Sequence, residues 1–269
     1  MRMYCITVDN NHYEKIQRLG YIPVGLGNKI FSKKFETDNR GDNISLKNPF
    51  YGEYSFHYWL WKNELQNFKD KEWVGFCQYR KFWSISANKE NYKDIDQLNK
   101  YLIKQIPEVL NEYETILGNP LFINQLKPIK FFKKNFFKML KNPNLLFDKK
   151  KRNIKFHFDL MHGEGNLEKA ISLLDHEYKK DFDEYVNTEV SFNPHNMFIC
   201  NSKKNLNDFY SVIFPWLERC ENKFGFNLEG YGLRRIYGFL AERFMPFWFK
   251  KNTRCTTLPI IFKDINEID

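Results

Sequence analysis

The sequence lacks the apolar runs of membrane proteins and the cysteine patterns of secreted or zinc-binding domains. No segment approaches the roughly 20 consecutive apolar residues that a transmembrane helix needs. The first apolar segment also reaches Asp9 before a signal-peptide core forms. The 5 cysteines are odd in number and have no C-x-x-C spacing, which argues against a disulfide framework and a zinc knuckle. We therefore expect a cytoplasmic protein whose cysteines are mostly small buried residues.

Several motifs of phosphate binding and catalysis are also missing. The chain has no G-x-x-x-x-G-K-[ST] loop, no G-x-G-x-x-G after its first strand, no G-x-S-x-G elbow and no H-E-x-x-H. These absences exclude the usual nucleotide kinases, simple dehydrogenases, esterases and zincins. The Asp-x-Asp pairs 94–96 and 181–183 lie in polar helical stretches, where capping is an ordinary role of aspartate. We assign no metal ligands and expect no required cofactor, with Mn²⁺ or Mg²⁺ left open.

What the chain does contain is typical of a folded domain that binds an anionic partner. Of its 269 residues, 42% are hydrophobic and 28% are charged, which excludes a disordered chain or a coiled coil. The length suits a single domain over 1–269. The net charge is +9 and aromatic residues make up 18%.

Strand-like and helix-like segments alternate, which predicts an α/β fold with a largely parallel sheet. We predict strands at 3–9, 21–25, 73–79, 113–118 and 196–200. We predict helices after residue 54 and over 92–112, 166–187, 206–224 and 232–251, the last interrupted or bent at its proline. Residues 38–51 read as a turn-rich loop.

Residues 127–156 interleave phenylalanine pairs with lysines, and we predict an insertion or excursion from the sheet there. Three interpretations stay open. The segment is a solvated basic face, a surface that rests on an anionic membrane, or a nucleic-acid surface, for which it has no recognisable RNA-binding motif.

The predicted strand 73–79 ends in an abrupt change to polar residues, Tyr79, Arg80 and Lys81. In open α/β sheets, ligands bind at the carboxyl ends of strands. An arginine there can neutralise a diphosphate through bidentate hydrogen bonds, without a metal. The alternative is that Arg80 pairs with an acid at the rim of the sheet.

Two polar groups lie within apolar helical stretches of the second half of the chain. His157, Asp159 and His162 fall within six positions, and Glu242 is followed by Arg243. A carboxylate that faces a cleft gains proton affinity, as a general base requires. The alternative is a structural ion pair between Glu242 and Arg243.

Five separated motifs, in this order, resemble domain-of-unknown-function family 4422, which is found in bacterial capsule and exopolysaccharide clusters and regarded as a glycosyltransferase family. The motifs are G-D-N-I-S-L-K-N at 41–48, the segment from Glu53 through Y-W-L-W-K-N at 58–63, W-V-G-F-C-Q-Y-R-K-F-W at 73–83, N-M-F-I at 196–199 and G-F-L-A-E-R at 238–243. Gln78 and Lys81 depart from the histidine and arginine of the family pattern, so a role for an imidazole at 78 does not carry over.

The resemblance implies a Rossmann-like, A-type glycosyltransferase fold and a nucleotide-sugar-dependent transfer of a hexosyl group, galactofuranosyl by family association. For the mechanism we expect an inverting displacement. The donor would be a UDP-sugar and the acceptor a surface-polysaccharide or lipid-linked glycan. The implied donor-binding residues are Thr7, Asp9, Asp42, Asn43, Tyr79, Arg80 and Arg243. Glu242 is the expected base, with His162 and Asp159 as second choices.

Two hypotheses from other classes remain. The first is a non-catalytic sugar- or membrane-binding protein of a polysaccharide cluster. The second is an RNA-binding protein, suggested only by charge; we expect no nucleic-acid partner. If the glycan acceptor is linked to a lipid, it lies at the membrane. The positive charge of the chain would suit peripheral contact with the inner face of an anionic membrane there.

Overall fold

The computed structural model describes residues 1–27, 29–86, 92–126 and 151–268. The chain divides into two compact units. The first comprises Met1–Asn119, His195–Val212 and Trp248–Asp269, and the second comprises Pro120–Pro194 and Ile213–Phe247. A single domain over 1–269 stays a prediction. The expected insertion at 127–156 falls mostly on 127–150, outside the described residues.

The first unit is built on a nine-stranded sheet. Its strands are β1 (Arg2–Thr7), β2 (Ile22–Gly25), β3 (Glu36–Thr37), β4 (Val74–Gln78), β5 (Lys81–Trp83), β6 (Thr115–Gly118), β9 (Phe198–Cys200), β10 (Cys255–Leu258) and β11 (Ile260–Phe262). The second unit holds a two-stranded sheet of β7 (Leu121–Phe122) and β8 (Ser191–Phe192).

The main path of the large sheet has the order β10-β6-β9-β4-β1-β2-β3, with the β4–β5 hairpin and β11 added beside it. Along this path β9 pairs antiparallel with β4 and β6, whereas the other pairings are parallel. The predicted Rossmann-like α/β fold with a mostly parallel sheet is therefore confirmed. The chain leaves β1 for β2 and β3 on one side, then returns to β4 on the other side. The carboxyl ends of β1 and β4 thus flank a topological switch point, where ligands of such sheets bind.

The central strands are apolar because both of their faces are covered. Met3 to Thr7 of β1 and Val74 to Cys77 of β4 are all buried, as expected of parallel strands packed between helices. Four of the cysteines are buried, Cys255 is half-buried, and all 5 are free, as the sequence predicted.

The helices of the first unit are shorter than predicted. They are α1 (Tyr13–Arg18), α2 (Asn48–Tyr51), α3 (Tyr54–Trp59), which continues as a π-helix over Leu60–Glu64, and α4 (Ile95–Asn99). The predicted helix over 92–112 is wrong beyond α4. Leu102 instead forms a bridge with Ser84, and the amide of Ile103 donates to the carbonyl of Trp83 at 3.1 Å. Pairing with the β5 edge takes this segment out of the helix.

The second unit is mainly helical. It contains α5 (Ile154–His162), α6 (Asn166–Ser172), α7 (His176–Thr188) and α9 (Tyr231–Arg234), while α8 (Lys203–Phe224) and α10 (Ile236–Asn252) contribute residues to both units. The helix predicted over 166–187 is split, because Asp175 has the extended backbone of an N-cap. Pro246 does not interrupt α10. Among the described residues, no helix is long and apolar enough to cross a membrane.

Candidate functional site

The carboxyl ends of three parallel strands meet in the first unit. Thr7 of β1 is in register with Gly25 of β2, and Ile6 is in register with Gln78 of β4. The amide of Tyr79 donates to the carbonyl of Ile6 at 3.0 Å, which continues the pairing past β4. We use the name carboxyl edge for the residues after these strands, 8–12, 26–27 and 79–80, together with 195–196, which precede the antiparallel β9.

Thr7 lies at the base of the carboxyl edge and is fully buried. Its hydroxyl oxygen accepts from the amide of Asp9 at 3.2 Å and lies 2.6 Å from Nδ1 of His12. Nε2 of His12 lies 2.7 Å from Oδ1 of Asn266. Because an amide oxygen only accepts, Nε2 carries the proton and Nδ1 accepts from the Thr7 hydroxyl. Thr7 thus shapes the turn that presents Asp9, together with His12, which was not predicted from the sequence.

Tyr79 and Arg80 form the two-residue turn of the β4–β5 hairpin, closed by the Gln78–Lys81 pair. The rings of Tyr79 and His12 lie 4.8 Å apart, and the Arg80 guanidinium stands 4.7 Å from the centre of the Tyr79 ring. Arg80 is exposed. In the described part of the chain no carboxylate lies within ion-pair distance of it, so the predicted alternative of a rim ion pair is not found.

This turn is fixed from a segment near the end of the sequence. The amide of Lys263 donates to the carbonyl of Arg80, and the amide of Ile265 donates to that of Tyr79, each at 3.2 Å. Asn266 follows directly and contacts His12. The segment after β11 therefore contacts both sides of the carboxyl edge, the β4 side through two backbone amides and the β1 side through the side chain of Asn266.

Asp42 and Asn43 are held against the helical segment that follows residue 53. Oδ1 of Asn63 accepts from the amide of Asp42 at 3.1 Å, and Nδ2 of Asn63 donates to the carbonyl of Asp42 at 2.8 Å. The Tyr58 hydroxyl donates to the Asp42 carboxylate at 3.3 Å. Asn43 bonds within its own turn, to the carbonyl of Gly41 and to Ser45. Asn43 therefore shapes the loop, while Asp42 is exposed.

A buried aspartate that the sequence analysis missed holds the turn after β2. Asp38 is fully buried, and its carboxylate accepts from the amide of Gly27 at 3.0 Å. Burial raises the pKa of Asp38, although the Ser55 hydroxyl and the Gly27 amide act in the opposite direction. Gly27 has a φ of 75°, a conformation that favours glycine.

A second polar cluster that the sequence analysis missed surrounds Gln78 at the end of β4. Its amide nitrogen donates to Oε1 of Glu53 at 2.6 Å and to the carbonyl of His195 at 3.2 Å. Its amide oxygen accepts from the Lys81 ammonium at 3.2 Å. His195 and Asn196 have φ of 85° and 54°. Such strain costs about 1–3 kcal/mol per residue and is commonest at functional sites.

Glu242 and Arg243 belong to the second unit, where they form the ion pair that the sequence analysis gave as the alternative. Arg243 is 1% exposed and hydrogen-bonded to the Glu242 carboxylate. Its guanidinium also lies 3.2 Å from Nδ1 of His157 and 4.0 Å from the centre of the Phe192 ring. Burial lowers the pKa of His157 to about 3, and Arg243 adds to this. His157 is therefore neutral and accepts from Arg243.

The two second choices for the base also have local partners. Nδ1 of His162 lies 3.0 Å from the carbonyl of Gly232, and its ring stacks on Phe239 at 4.0 Å. Burial lowers the pKa of His162 to about 3. Asp159 accepts from the Lys155 ammonium at 2.9 Å and from the amide of Gly165 at 3.2 Å. Catalytic roles for Glu242, His162 and Asp159 stay predictions.

The Asp-x-Asp pairs have ordinary structural contacts. Asp94 caps α4 by accepting from the amide of Gln97 at 2.7 Å, and Asp96 pairs with Arg18 at 3.2 Å. Asp183 accepts from the side-chain amide of Asn187 at 3.2 Å. Within the described ranges, no group of three or more His, Cys, Asp and Glu side chains is placed to hold a metal ion.

Comparison with known proteins gives one family and one solved structure. The model of a family described as a domain of unknown function, DUF4422, matches residues 3–253. The fold is similar to that of WbbM, a bifunctional glycosyltransferase solved in its apo form, with a TM-score of 0.66 and 21% sequence identity. That match covers 98% of this chain and 45% of WbbM, so the chain spans less than half of that protein. No curated protein matches.

Proposed function

The chain belongs to the DUF4422 family, and from this premise we propose that it is a glycosyltransferase. It moves a hexosyl group, galactofuranosyl as the specific case, from a UDP-sugar to a surface-polysaccharide or lipid-linked glycan. The fold shared with part of a bifunctional glycosyltransferase supports the proposal. The net charge of +9 suits an anionic donor. It also suits peripheral contact of the protein with the inner face of an anionic membrane, where a lipid-linked acceptor would lie.

The observation that carries the proposal is the exposed, unpaired charge of Arg80 within the described chain. This residue lies at the switch point between β1 and β4. Its turn is fixed by two backbone hydrogen bonds from the segment after β11. A preorganised guanidinium of this kind suits a diphosphate, which it binds through two parallel hydrogen bonds. Asp9 and Tyr79 border the same edge and suit the nucleoside.

For the reaction we propose an inverting displacement. The acceptor hydroxyl oxygen attacks the anomeric carbon, its proton passes to a carboxylate, and the bond between that carbon and the diphosphate oxygen breaks with its electron pair leaving on UDP. We propose Arg80 as the cation that offsets the charge on the leaving group. From the resemblance to the family, Glu242 is our candidate for the carboxylate and Arg243 a candidate donor-binding residue. Asp42 is our candidate for a contact with ribose or sugar hydroxyls.

The donor site is tested by calorimetry of UDP binding to Arg80→Ala. Hydrogen bonds to charged groups contribute about 1.5–3 kcal/mol, so we expect the dissociation constant to rise at least about tenfold. Arg18→Ala is the matched control, because Arg18 is an exposed arginine of the same unit whose partner is Asp96. Wild-type affinity in Arg80→Ala would contradict the proposed site. Donor binding with neither transfer nor hydrolysis would favour the non-catalytic sugar-binding alternative.

The base is tested with Glu242→Gln. General-base catalysis typically contributes about 10²–10⁴-fold, and we expect a loss of transfer in that range with UDP binding retained. Glu218→Gln, an exposed carboxylate on α8, serves as the control. If Glu242→Gln transfers sugar within about tenfold of the wild type, Glu242 is not the base, and the same assay is repeated on His162→Gln and Asp159→Asn.

A further inference from the structure

The cluster around Gln78 has no role in the function proposed above. It consists of Glu53, Gln78, Lys81 and the carbonyl of His195, and it lies at the end of the strand whose turn carries Arg80. Gln78 and Lys81 face each other across the hairpin, so this turn has Arg80 at its tip and the cluster at its base.

Every polar atom of the Gln78 amide is engaged, which fixes its orientation. The nitrogen donates to Glu53 at 2.6 Å and to the His195 carbonyl at 3.2 Å, and the oxygen accepts from Lys81 at 3.2 Å. The acceptors on one side and the cation on the other allow only one arrangement of the amide. The His195 carbonyl is itself presented by two successive residues with positive φ. The hairpin therefore places the Glu53 carboxylate at the carboxyl edge through a defined contact.

The charge pattern of this edge separates two parts of a ligand. The exposed guanidinium at the tip of the turn attracts phosphate. At its base, the Glu53 carboxylate and the Lys81 ammonium bond to the same amide and offset each other's charge, and the carboxylate accepts hydrogen bonds from hydroxyl groups. We infer that Glu53 binds hydroxyl groups of the hexose carried by the donor nucleotide, and that Gln78 is the positioning residue that orients it. This inference rests on the proposed function. It assigns the hexose subsite to the first unit and makes Glu53 a determinant of donor choice.

The test compares UDP with three nucleotide sugars, UDP-galactofuranose, UDP-galactose and UDP-glucose, by calorimetry. For Glu53→Gln we expect a dissociation constant for UDP within about twofold of the wild type. For the UDP-hexose that the wild type binds, we expect the dissociation constant of Glu53→Gln to rise about tenfold, because a charged hydrogen-bond acceptor is lost. Glu64→Gln, a carboxylate on the adjoining π-helix, should change neither constant.

The positioning role has its own test. Gln78→Met removes the donor to Glu53 and should raise the KM for the UDP-hexose while leaving inhibition by UDP unchanged, a pattern that misfolding does not produce. Gln78→His restores a ring N–H and should recover part of the loss.

The outcomes are distinct. A wild-type chain that does not bind UDP overturns the proposed function. If the wild type binds UDP, three results would show that the inference about Glu53 is wrong: Glu53→Gln keeps full affinity for the UDP-hexose, Glu53→Gln loses affinity for UDP as well, or the wild type binds none of the UDP-hexoses. The diphosphate site is tested separately, by Arg80→Ala.

Discussion

At the residue scale, the carboxyl edge shows which functional residues a sequence reveals. Tyr79 and Arg80 were predicted because an apolar strand ends abruptly beside them. The sequence did not predict roles for Asp38, His12 and Glu53, because the role of each depends on a contact with a residue that is distant in the sequence. Asn266 contacts His12 from 254 positions away, and no local pattern signals such a contact. Sequence therefore locates strand ends, and packing decides which polar side chains meet there.

The buried carboxylate of Asp38 gives a prediction at this scale. Its folded-state pKa is raised, so the folded state binds the proton more tightly than the unfolded state. The resulting stabilisation is full below the ordinary pKa of the carboxyl and is lost as pH rises through the folded pKa. Asp38→Asn keeps the acceptor for the Gly27 amide without the charge. Its free energy of unfolding, relative to wild type, should rise between pH 4 and pH 7 in urea titrations; a difference independent of pH would contradict this.

At the scale of elements, a single side chain ties a loop to a helix. Asn63 holds residues 41–42 through both of its amide atoms, and Gly41 lies close against it. A Cβ on Gly41 would lie 2.1 Å from Oδ1 of Asn63, and the φ of Gly41 is 60°. The glycine is thus required both by the backbone conformation and by the neighbouring amide. The motifs 41–48 and 58–63, read separately in the sequence, form one structural contact.

Gly41→Ala should destabilise the protein by about 1–3 kcal/mol, from the left-handed backbone and the clash together. In an Asn63→Ala background the clash is absent, so the penalty of Gly41→Ala should be smaller. Urea unfolding of the wild type, both single variants and the double variant measures this coupling. Additive free energies would mean that the two residues do not interact as described.

The elements predicted best are those decided by continuous apolar runs. Strands β2, β4, β6 and β9 lie within the predicted segments, and β1 begins one residue before its segment; each is short and mostly buried. Strands β5, β10 and β11 were missed. β11 and β5 pair with each other, and β10 pairs with β6, so their conformation depends on distant partners. The early end of α4 also depends on a distant partner, because Leu102 pairs with Ser84 instead of continuing the helix.

At the scale of the whole molecule, buried histidines make folding sensitive to acid. His57 is fully buried, and Nδ1 lies 2.9 Å from the Tyr210 hydroxyl. Burial lowers the pKa of His57, His157 and His162 to about 3. Their unfolded pKa is about 6.5. Stability is therefore full above about pH 6.5 and is lost as pH falls from there towards 3.

Three such groups correspond to a slope of about 4 kcal/mol per pH unit in that window. Replacing one of them, as in His162→Phe, should reduce the slope by about 1.4 kcal/mol per pH unit. The measurement is the free energy of unfolding in urea at pH 7, 6 and 5. His176→Gln, a histidine at the exposed start of α7, is the control. An unchanged slope in His162→Phe would mean that His162 is protonated in the folded state.

The segment after β11 has a consequence for biosynthesis. Tyr79 and Arg80 are translated before Lys263 and Ile265, whose amides fix their turn. During translation the hairpin lacks these two hydrogen bonds until residue 265 has left the ribosome. With the proposed donor site, ribosome-bound chains halted before residue 263 should therefore bind UDP more weakly than chains that include residue 265.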